Sequence, residues 1–508
     1  MSKKLIRSAL VSVFSKDGLE PIIRELERLN VKLYSTGGTQ QFIERLGVPV
    51  EAVENITSYP SILDGRVKTL HPKVFGGLLA KREEAHLAQL EQYAIPEIDV
   101  VIVDLYPFED TVAQTDDHDA IIEKIDIGGI SLIRAAAKNY QDVVVVPSKE
   151  EYALFLQLLQ EKGGFTDLPE RKELARRAFR VSSHYDTAIY QYFNADTPLD
   201  GFKQSILPTT GLRYGENPHQ QGVYYGNLEE QVVKLGGKEL SYNNLIDLDA
   251  AVGLIREFSD AAPTFAVLKH NNACGLATRP TLLEAWTDAL AGDPVSAFGG
   301  VLICNKEVDL ETAREIDKLF YEVLAAPGYT AEALELLLQK KKRIVLQMKH
   351  FNQQKRQFRS LLNGVIAQDA DLQTETAADL KTATKVAPTA AQLDDLLFAA
   401  ICVKHLKSNG IALVRNRQLL GMGCGQTSRV DALKQAITKA EGFGFDLKGA
   451  VMASEAFFPF PDCVDIAFHA GITAVIQPGG SIKDQESIDY CDRQGMAMVM
   501  TGFRHFKH

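Results

Sequence analysis

The sequence predicts an α/β protein with more than one domain, and three observations support this fold class. Two fully apolar runs, residues 100–103 and 143–146, are typical of parallel strands that are covered on both faces. Such runs alternate with amphipathic helical segments, which indicates a parallel α/β layer. The length of 508 residues exceeds what one hydrophobic core usually covers, so we expect two to four domains.

The predicted elements near the N-terminus follow this alternation. Residues 9–14 form a strand, and Asp17 is the expected N-cap of the amphipathic helix that comes next. Residues 31–34 form a second strand, which turns into a helix that ends at Gly47. Glycine is the usual residue at such an end because it adopts the left-handed conformation of a C-terminal cap.

A polar, turn-rich stretch near residue 200 separates the two predicted parts of the chain. We assign residues 1–198 to an N-terminal domain and residues 199–508 to a C-terminal domain, with a further subdomain break expected near residue 384. The C-terminal domain is a second α/β set, because apolar runs again alternate with helical patterns. Its predicted strands cover residues 265–268, 301–304, 411–414, 474–477 and 497–500.

The composition favours a reduced, cytoplasmic protein that acts on small molecules. The net charge of −11 argues against general nucleic-acid binding, because neutralising phosphates requires clustered Lys and Arg. We expect neither a signal peptide nor a membrane span, since the basic start lacks a long apolar stretch and no apolar run is long enough. The six cysteines are scattered without a C-x-x-C pair, so neither a disulfide framework nor a structural zinc site is predicted.

Two polar clusters are the strongest functional signals. Lys269 and His270 follow the apolar run 265–268, so a cation and a titratable imidazole stand at the end of a buried strand. Residues 213–220 contain more hydrogen-bond donors than a core segment would. One such segment alone is more often an ordinary loop, but perturbed groups cluster at sites. Together they suggest acyl-type transfer onto a phosphorylated small molecule.

The N-terminal domain contains further candidate segments. Residues 35–39 join a strand to a helix through Gly-Gly, a geometry suited to a phosphate, although Gly-Gly turns are often only turns. Residues 66–71 supply two cations and a hydroxyl, or form a solvated basic loop. Residues 126–129 offer backbone N–H groups at a helix start, and that helix ends at Lys138, which alternatively serves only the helix dipole. Tyr106 follows a buried strand and can donate to a developing oxyanion, although a tyrosine whose hydroxyl simply reaches solvent fits the position equally well.

The C-terminal domain adds recognition chemistry. Residues 241–247 supply amide groups and a carboxylate that could recognise a polar ring of a ligand. Residues 293–300 place the aromatic ring of Phe298 beside two glycines, whose backbone is not covered by side chains. Residues 457–462 put aromatic side chains beside a carboxylate, which suits a stacked heterocycle, or form a core corner. Residues 421–426 contain G-x-G-x-G before a helix, but they lack the full dinucleotide spacing. The cationic tail, residues 503–508, either folds back or frays.

No metal is predicted for catalysis. A zinc deaminase requires a Glu near the His or Cys ligand and a downstream Pro-Cys-x-x-Cys pair. His270 and Cys274 have neither companion. We therefore expect a mechanism that does not depend on a metal.

Taken together, these motifs resemble the bifunctional AICAR transformylase/IMP cyclohydrolase family of purine biosynthesis, in the family's order and over nearly the whole chain. The resemblance implies a methylglyoxal-synthase-like cyclohydrolase domain and a transformylase of two cytidine-deaminase-like α/β units without zinc. It also implies 10-formyltetrahydrofolate as formyl donor for AICAR. The family works as a homodimer whose transformylase sites lie between subunits.

The resemblance assigns roles to transferase residues. Lys269 and His270 match the catalytic Lys-His pair, and Asn409 matches the catalytic Asn. Arg213 and Arg504 match the arginines that hold the AICAR phosphate. Further AICAR contacts are implied for Tyr214, Asn244, Phe298, Gly299 and Glu322, and folate contacts for Met422, Phe460 and Asp462.

The resemblance likewise assigns the cyclohydrolase site. Its catalytic residues match Lys68, Tyr106, Asp126 and Lys138. Its nucleotide cradle matches Lys16, Ser35, Thr36, Gly37, Gly38, Thr39, Arg66, Thr69, Gly128 and Gly129. The chain departs from the family's usual residues at Phe14, Asp104, Ala273, Gly410 and Cys463. None of these departures removes a proton-transfer or phosphate-binding group.

Two rival functions follow from the same residues. A nucleotide-binding sensor would keep both pockets but lose turnover, although the intact set of Lys269, His270 and Asn409 argues against it. An oxidoreductase would use the glycines at 421–425 as a dinucleotide loop.

Overall fold

The structure is a computed structural model that describes residues 3–63, 67–195, 201–351 and 354–508. Its internal contacts divide the chain into two units, Met1–Ile206 and Leu207–His508. The division falls a few residues beyond the boundary expected at 198/199, which itself lies outside the described residues. Among the helices of the described ranges, none combines the length and the apolar character needed to cross a membrane.

A parallel sheet forms the centre of the N-terminal unit. The strands described in this unit are β1 (Lys4–Leu5), β2 (Ser8–Val13), β3 (Lys32–Ser35), β4 (Glu51–Ala52), β5 (Val100–Asp104), β6 (Val144–Val146) and β7 (Phe165–Thr166). The order of the sheet is β4-β3-β2-β5-β6, with every pair parallel, and β1 pairs with β7 separately. The order of the strands reverses between β2 and β5, and open α/β sheets bind ligands at the carboxyl ends of strands at such a point.

The helices of the N-terminal unit connect these strands. They are α1 (Glu20–Arg28), α2 (Gly37–Arg45), α3 (Val53–Thr57), α4 (Pro72–Leu79), α5 (Glu84–Gln92), α6 (Phe108–Gln114), α7 (His118–Ile122), α8 (Gly128–Lys138), α9 (Tyr152–Lys162) and α10 (Leu168–Phe193). The expected N-cap at Asp17 is wrong, because α1 begins at Glu20 after Leu19. Pro21 lies in its first turn, where a missing N–H costs nothing. The Asp17 carboxylate instead accepts a hydrogen bond from the Ser15 hydroxyl at 3.0 Å.

The C-terminal unit is built on one large mixed sheet. Its described strands are β8 (Thr209–Gly211), β9 (Val223–Tyr225), β10 (Val232–Gly236), β11 (Thr264–Lys269), β12 (Asn272–Thr278), β13 (Val301–Cys304), β14 (Val323–Ala326), β15 (Ile344–Met348), β16 (Arg356–Leu361), β17 (Gly364–Asp369), β18 (Lys381–Thr382), β19 (Ile411–Arg415), β20 (Gln418–Gly423), β21 (Val451–Ser454), β22 (Ala474–Gln477) and β23 (Ala497–Met500). Its described helices are α11 (Tyr242–Arg256), α12 (Leu282–Gly292), α13 (Leu310–Ile316), α14 (Ala331–Leu338), α15 (Ala390–Lys404), α16 (Arg429–Gly442), α17 (Asp462–His469) and α18 (Asp484–Gln494). Each predicted strand of this unit is present.

The large sheet consists of two halves with the same topology. Its order is β10-β15-β14-β13-β11-β12-β20-β19-β21-β22-β23-β18. In each half an edge strand and a helix precede an antiparallel hairpin, and three strands follow with a helix before each one. The halves meet where Ala277 of β12 lies opposite Gln418 of β20. The likeness of each half to cytidine deaminase, implied by the resemblance, stays a prediction.

The glycines at 421–425 do not form a helix-opening loop. Gly421 and Gly423 lie within β20, and α16 begins only at Arg429. A Cβ on Gly421 would lie 2.3 Å from the Ala436 carbonyl oxygen, and one on Gly423 would lie 1.8 Å from that of Ala432. The glycines therefore permit close packing of β20 on α16, and this overturns the dinucleotide-loop interpretation.

Candidate active sites

In the N-terminal unit, the loops after β2, β3 and β5 are tied together by hydrogen bonds. The Thr39 hydroxyl donates to the Val13 carbonyl at 3.0 Å and accepts from the Val13 N–H at 3.2 Å. The Ser15 N–H donates to the Asp104 carboxylate at 2.9 Å. These contacts hold the carboxyl ends of three neighbouring strands at one edge of the sheet, which is where the sequence predicts the nucleotide.

Two side chains lie against the glycine-rich starts of α2 and α8. The Lys68 ammonium is 3.1 Å from where a Cβ on Gly37 would lie, and the Thr69 hydroxyl is 3.1 Å from the same position on Gly128. Gly37 also has a φ of +49°, which other L-residues rarely adopt. Helix N-termini carry partial positive charge and unpaired N–H groups. Lys68 and these two helix starts therefore suit an anionic ligand.

Asp126 caps α8 with its carboxylate. Its Oδ1 accepts from the Gly129 N–H at 2.6 Å and from the Ile130 N–H at 3.3 Å. The expectation that Gly129 presents a bare N–H is therefore wrong in this state. Burial raises the pKa of Asp126, backbone hydrogen bonds oppose that rise, and the nearby Asp104 adds to it. A half-buried carboxyl with a raised pKa is suited to proton transfer.

Lys16 and Ser35 are directed toward the protein backbone. The Lys16 ammonium donates to the carbonyls of Val13 and Phe14 at 2.7 and 2.8 Å, and burial lowers the pKa of Lys16 although Asp104 opposes this. Ser35 is fully buried, and its hydroxyl donates to the Val11 carbonyl at 2.7 Å. Ser35 therefore joins β2 to β3, and its hydroxyl is not presented to a ligand.

Tyr106 presents its ring at the mouth of this cluster. The side chain is 44% exposed, and its ring meets that of Phe14 edge-to-face with centroids 5.4 Å apart. The Lys124 ammonium lies 5.7 Å from the Tyr106 ring centroid, within the range of a cation–π contact. Sequence reasoning missed Lys124, which is separated from Tyr106 by two helices.

Two predicted cyclohydrolase residues are not placed in this cluster. Lys138 is the last residue of α8, ten residues after Gly128 and thus about 15 Å along the helix axis. The structure therefore does not bring Lys138 to Asp126 and Gly128. Arg66 lies outside the described residues.

In the C-terminal unit, Lys269 and His270 lie at the turn of the β11–β12 hairpin. Lys269 pairs with Asn272, so His270 and Asn271 form a two-residue loop. Both loop residues have positive φ, 50° and 64°, which is typical of the type I′ turn that matches strand twist. His270 is exposed on this turn, and its imidazole is accessible to a substrate.

The Lys269 ammonium is held next to Phe298 and Gly299. It donates to their carbonyl oxygens at 2.9 and 3.0 Å. Gly299 has a φ of 68°, and a Cβ there would lie 3.2 Å from the ammonium. Glu322 joins the group because its N–H donates to the Gly300 carbonyl at 2.9 Å. This arrangement fixes a cation beside the 61% exposed ring of Phe298.

Asn409 uses both ends of its amide within the protein. Its Oδ1 accepts from the Arg429 guanidinium at 2.8 Å, and its Nδ2 donates to the Gln426 carbonyl at 2.9 Å. Arg429 is itself buried and paired with Glu455 at 2.6 Å. Asn409 therefore depends on a charged network that the sequence did not reveal.

Asn272 connects the Asn409 segment to the hairpin. Its Oδ1 accepts from the Lys407 N–H at 3.0 Å, and its Nδ2 donates to the His270 carbonyl at 2.8 Å. The segment that carries Asn409 and the turn that carries His270 are thus joined by one side chain. Sequence reasoning missed Asn272, although its place beside the Lys-His pair was a signal.

The described contacts of Asn244 and Met422 stabilise the fold: Asn244 caps a helix, and Met422 packs in the core. The Asn244 Oδ1 accepts from the N–H and hydroxyl of Ser241 at 3.1 and 2.9 Å, in a capping box at the start of α11. Met422 is only 9% exposed and packs in the hydrophobic core of the sheet. Phe460 is 51% exposed, and the Lys483 ammonium lies 4.6 Å from its ring centroid. Asp462 begins α17, and its carboxylate accepts from the Cys463 N–H at 2.8 Å.

The two predicted phosphate arginines are exposed and make their described contacts within their own segments. The Arg213 guanidinium donates to the Tyr214 hydroxyl at 2.8 Å and stacks on that ring at 4.7 Å. The Arg504 guanidinium stacks on Phe506 at 4.4 Å. Neither contact leads to Lys269 or His270.

The C-terminal tail folds back onto the domain. His505 lies between two carboxylates, with Nδ1 2.6 Å from Asp371 and Nε2 2.7 Å from Glu375. Burial opposes protonation, but hydrogen bonds to both carboxylates outweigh it and raise the pKa of His505 to about 9. The Ser408 N–H donates to the Lys507 carbonyl at 2.9 Å. The tail is therefore attached directly beside Asn409.

Comparison with known proteins supplies the family. A family model described as "AICARFT/IMPCHase bienzyme" matches residues 136–439, and one described as "MGS-like domain" matches residues 18–131. A protein of Bacteroides thetaiotaomicron called "Bifunctional purine biosynthesis protein PurH" is 61% identical over 506 residues, which cover 99% of each chain. The proteins of the same name from Chlorobium phaeobacteroides and Acetivibrio thermocellus are 44% and 45% identical over 99% or more of each chain.

The chain belongs to the AICARFT/IMPCHase bienzyme family.

Membership confirms the predicted family and the general function. The protein is a bifunctional enzyme of purine biosynthesis, with a formyltransferase and a cyclohydrolase activity. The MGS-like match falls on the unit with the parallel sheet, which confirms the fold class expected there. The roles of individual residues are argued below.

Proposed function

We propose that this bienzyme performs the last two steps of IMP synthesis at two separate sites. The transformylase transfers a formyl group from 10-formyltetrahydrofolate to AICAR, and the cyclohydrolase closes the product, FAICAR, to IMP with loss of water. The observation that carries the proposal is the exposed Lys269–His270 turn, joined by Asn272 to the segment of Asn409. Both substrates are soluble metabolites, so we place the enzyme in the cytoplasm.

In the transferase, His270 acts as the base. The AICAR amine is a weak nucleophile because its lone pair is delocalised into the ring and carboxamide. An imidazole can remove its proton, directly or through the carboxamide, during attack on the formyl carbon. Lys269 stabilises the resulting oxyanion and protonates the leaving folate nitrogen. Its two carbonyl contacts, at 2.9 and 3.0 Å, hold it in place for this.

Asn409 orients the catalytic pair from the neighbouring segment. Its own amide is fixed by Arg429 and Gln426, so its position is set before substrate binds. Because Asn272 transmits that position to the His270 turn, we propose that Asn409 works through placement.

We propose that AICAR is recognised by its phosphate and its ring. Arg213 and Arg504 hold the phosphate, since both guanidinium groups are exposed and suited to bidentate binding. Asn244 is left with only its amide nitrogen for the ligand, because Oδ1 is used in the capping box. The remaining proposed contacts are Tyr214, Phe298, Gly299 and Glu322.

The folate site is proposed around Phe460 and Asp462. The exposed Phe460 ring offers a stacking face, and the Asp462 carboxylate can accept from ring N–H groups. Met422 is buried in the core of the sheet, so we propose that it contributes to the folate site through packing. The cosubstrate supplies the formyl carbon, and the residues assigned here hold it without a metal.

In the cyclohydrolase, positioning supplies much of the acceleration, because the carboxamide nitrogen attacks a formyl carbon of the same molecule. Lys68 and Tyr106 stabilise the oxyanion, and Asp126 handles the protons of the departing water. The phosphate lies at the start of α2 beside Lys68, because N–H groups at the start of α8 already donate to Asp126. The residues proposed for the nucleotide cradle are Lys16, Ser35, Thr36, Gly37, Gly38, Thr39, Arg66, Thr69, Gly128 and Gly129, with Ser35 acting through the sheet and Gly129 through its hydrogen bond to Asp126.

Lys138 is proposed to act through α8. Its ammonium stabilises the C-terminal end of the helix dipole, and α8 carries Gly128 and Gly129 at its other end. Lys138→Arg preserves that charge, so we expect it to retain cyclisation of FAICAR. Loss of cyclisation in that variant would instead indicate a direct chemical role.

We further propose that the enzyme is a homodimer with transformylase sites between subunits. The β16–β17 hairpin is exposed along its whole length, with Leu362 and Ile366 at 99% and 55% exposure. Exposed apolar surface of this kind commonly marks an interface. Sedimentation should therefore give twice the chain mass, and a monomer with full transferase activity would contradict the proposal.

A paired assay separates this function from its rivals. The enzyme is given AICAR with either 10-formyltetrahydrofolate or NAD, and IMP formation is followed by absorbance. We expect IMP only with the folate. Binding of AICAR without product would indicate a sensor, and turnover with NAD would indicate an oxidoreductase.

A further inference from the structure

The duplicated sheet places two aspartates at equivalent positions. Asp247 is the sixth residue of α11, and Asp395 is the sixth residue of α15, and these are the helices that precede the two hairpins. Asp247 Oδ1 accepts from the Asn271 N–H at 2.8 Å. Asp395 accepts from the N–H groups of Asn416 and Arg417 at 2.8 and 2.7 Å. Each carboxylate therefore caps the turn of its own hairpin.

The two turns have the same backbone and differ in their side chains. Asn416 and Arg417 both have a φ of 52° and occupy the two loop positions between Arg415 and Gln418. Asn416 is thus the counterpart of His270. The cation before each turn also binds an equivalent carbonyl, since Arg415 donates to Lys448 at 2.9 Å as Lys269 does to Phe298. The second hairpin keeps the architecture of the first without its imidazole.

The reactive side chains also act on Asp247 by charge. Burial raises the pKa of Asp247, whereas the Asn271 hydrogen bond, His270 and Lys269 lower it. A negative charge on Asp247 is therefore stabilised by the turn that it caps and by the side chains on that turn. The side-chain amide of Asn271 faces hydrogen-bond acceptors with the atom that must therefore be its nitrogen. In that orientation the nitrogen also donates to Asp247 Oδ1 at 2.8 Å.

We propose that Asp247 is a positioning residue for formyl transfer. Its carboxylate fixes the turn that carries His270, and its negative charge assists the imidazole as that group accepts a proton from the substrate amine. This inference rests on the proposed roles of Lys269 and His270. The alternative is that Asp247 only stabilises a turn, as Asp395 does on the second hairpin.

The chain supplies its own control for this alternative. Asp247→Asn keeps an oxygen that can accept from the Asn271 N–H but removes the charge. Asp395→Asn also removes the charge on the second hairpin, and it replaces one of the two oxygens that accept from Asn416 and Arg417, so it is the more severe change for its turn. We expect Asp247→Asn to lower kcat for transfer at least tenfold, with a change in KM for AICAR below threefold. Asp395→Asn should leave kcat within twofold, and FAICAR cyclisation should be unchanged in both variants.

The outcome of this comparison decides between positioning and simple stabilisation. Equal effects of Asp247→Asn and Asp395→Asn on transfer would overturn the inference. Asp247→Ala, which also removes the acceptor, should lose more transfer than Asp247→Asn. If that variant fails to fold, the unchanged KM for AICAR of the Asn variant still establishes that the transferase site of the tested protein is intact.

A His270→Ala variant measured alongside separates failure of the inference from failure of the proposed function. If His270→Ala retains transfer, the assignment of the dyad fails and this inference falls with it. If His270→Ala loses transfer while Asp247→Asn behaves like Asp395→Asn, only the role of Asp247 is rejected.

Discussion

At the residue scale, the imidazole of His270 is presented by a turn whose backbone has a structural twin in the same sheet. The type I′ geometry exposes the side chain, and Lys269 is held just before it by two carbonyls. The equivalent turn of the second hairpin has the same backbone but carries Asn416 in place of His270. The two turns therefore differ in the side chain at this position, and the proposed catalytic role depends on that side chain.

We therefore expect His270→Ala to lower formyl transfer by about 100-fold or more, as loss of a general base does. Cyclisation of supplied FAICAR should be unaffected, because the cyclohydrolase cluster lies in the other unit. Asn416→Ala is the matched control and should retain transfer. Near-normal transfer by purified His270→Ala protein would remove His270 from the mechanism.

Lys68 is the corresponding test in the N-terminal unit. Its ammonium lies against the Gly37 turn, so Lys68→Ala should abolish most FAICAR cyclisation while formyl transfer continues. The exposed Lys172 on α10 provides a control for loss of a positive charge. The assay is the absorbance of IMP formed from FAICAR, and an unchanged rate in Lys68→Ala would reject its role.

Individual site residues were predictable from sequence only where their chemistry contrasts with their surroundings. Lys269 and His270 stood out because polar groups follow an apolar strand. The structural roles of Ser35 and Asn244 were not predicted from the sequence, because they depend on hydrogen-bond partners that the structure identifies. The Ser35 hydroxyl donates to the Val11 carbonyl, and the Asn244 amide oxygen accepts from the Ser241 hydroxyl. The sequence showed that Asp247 supplies a carboxylate near the predicted site. Only the structure shows that this carboxylate caps the turn that carries His270.

At the element scale, β20 shows how one sequence pattern serves two structures. A G-x-G spacing suits both a phosphate-binding loop and a strand that packs closely on a helix. The distances of 2.3 and 1.8 Å from the hypothetical Cβ atoms to α16 favour the second interpretation. The spacing alone could not distinguish the two, because the helix that requires the glycines lies later in the chain.

Gly423→Ala should consequently destabilise the C-terminal unit. The added methyl would overlap the Ala432 carbonyl, and such overpacking typically lowers the free energy of unfolding by about 1–3 kcal/mol. Gly442→Ala, at the end of α16 with open space around it, should be neutral or stabilising. Equal unfolding midpoints for the two variants in denaturant would contradict the packing argument.

At the scale of the whole molecule, sequence reasoning found the α/β class and several of the strands but not the duplication. The halves of the large sheet share their order of elements, yet the equivalent residues differ, as His270 and Asn416 do. Backbone topology can be preserved while side chains diverge, so no repeat is visible in the residues. The resemblance alone implied two units.

The tail provides a further test of how the C-terminal unit is held together. Since the pKa of His505 is raised to about 9 from about 6.5, its protonated form stabilises the folded state. That contribution is fully present below about pH 6.5 and is lost as the pH rises through about 9. The difference in unfolding temperature between the wild type and His505→Gln should therefore be large at pH 6 and small at pH 10. A difference that does not vary with pH would contradict the ion-pair account.

The most direct test of the central claim is a crystal structure of the enzyme with bound AICAR. The account predicts that the AICAR amine or its carboxamide lies within hydrogen-bond reach of the His270 imidazole, with Lys269 on the side where the formyl carbon would stand. AICAR bound in an ordered pose far from both side chains would contradict the proposed transferase site.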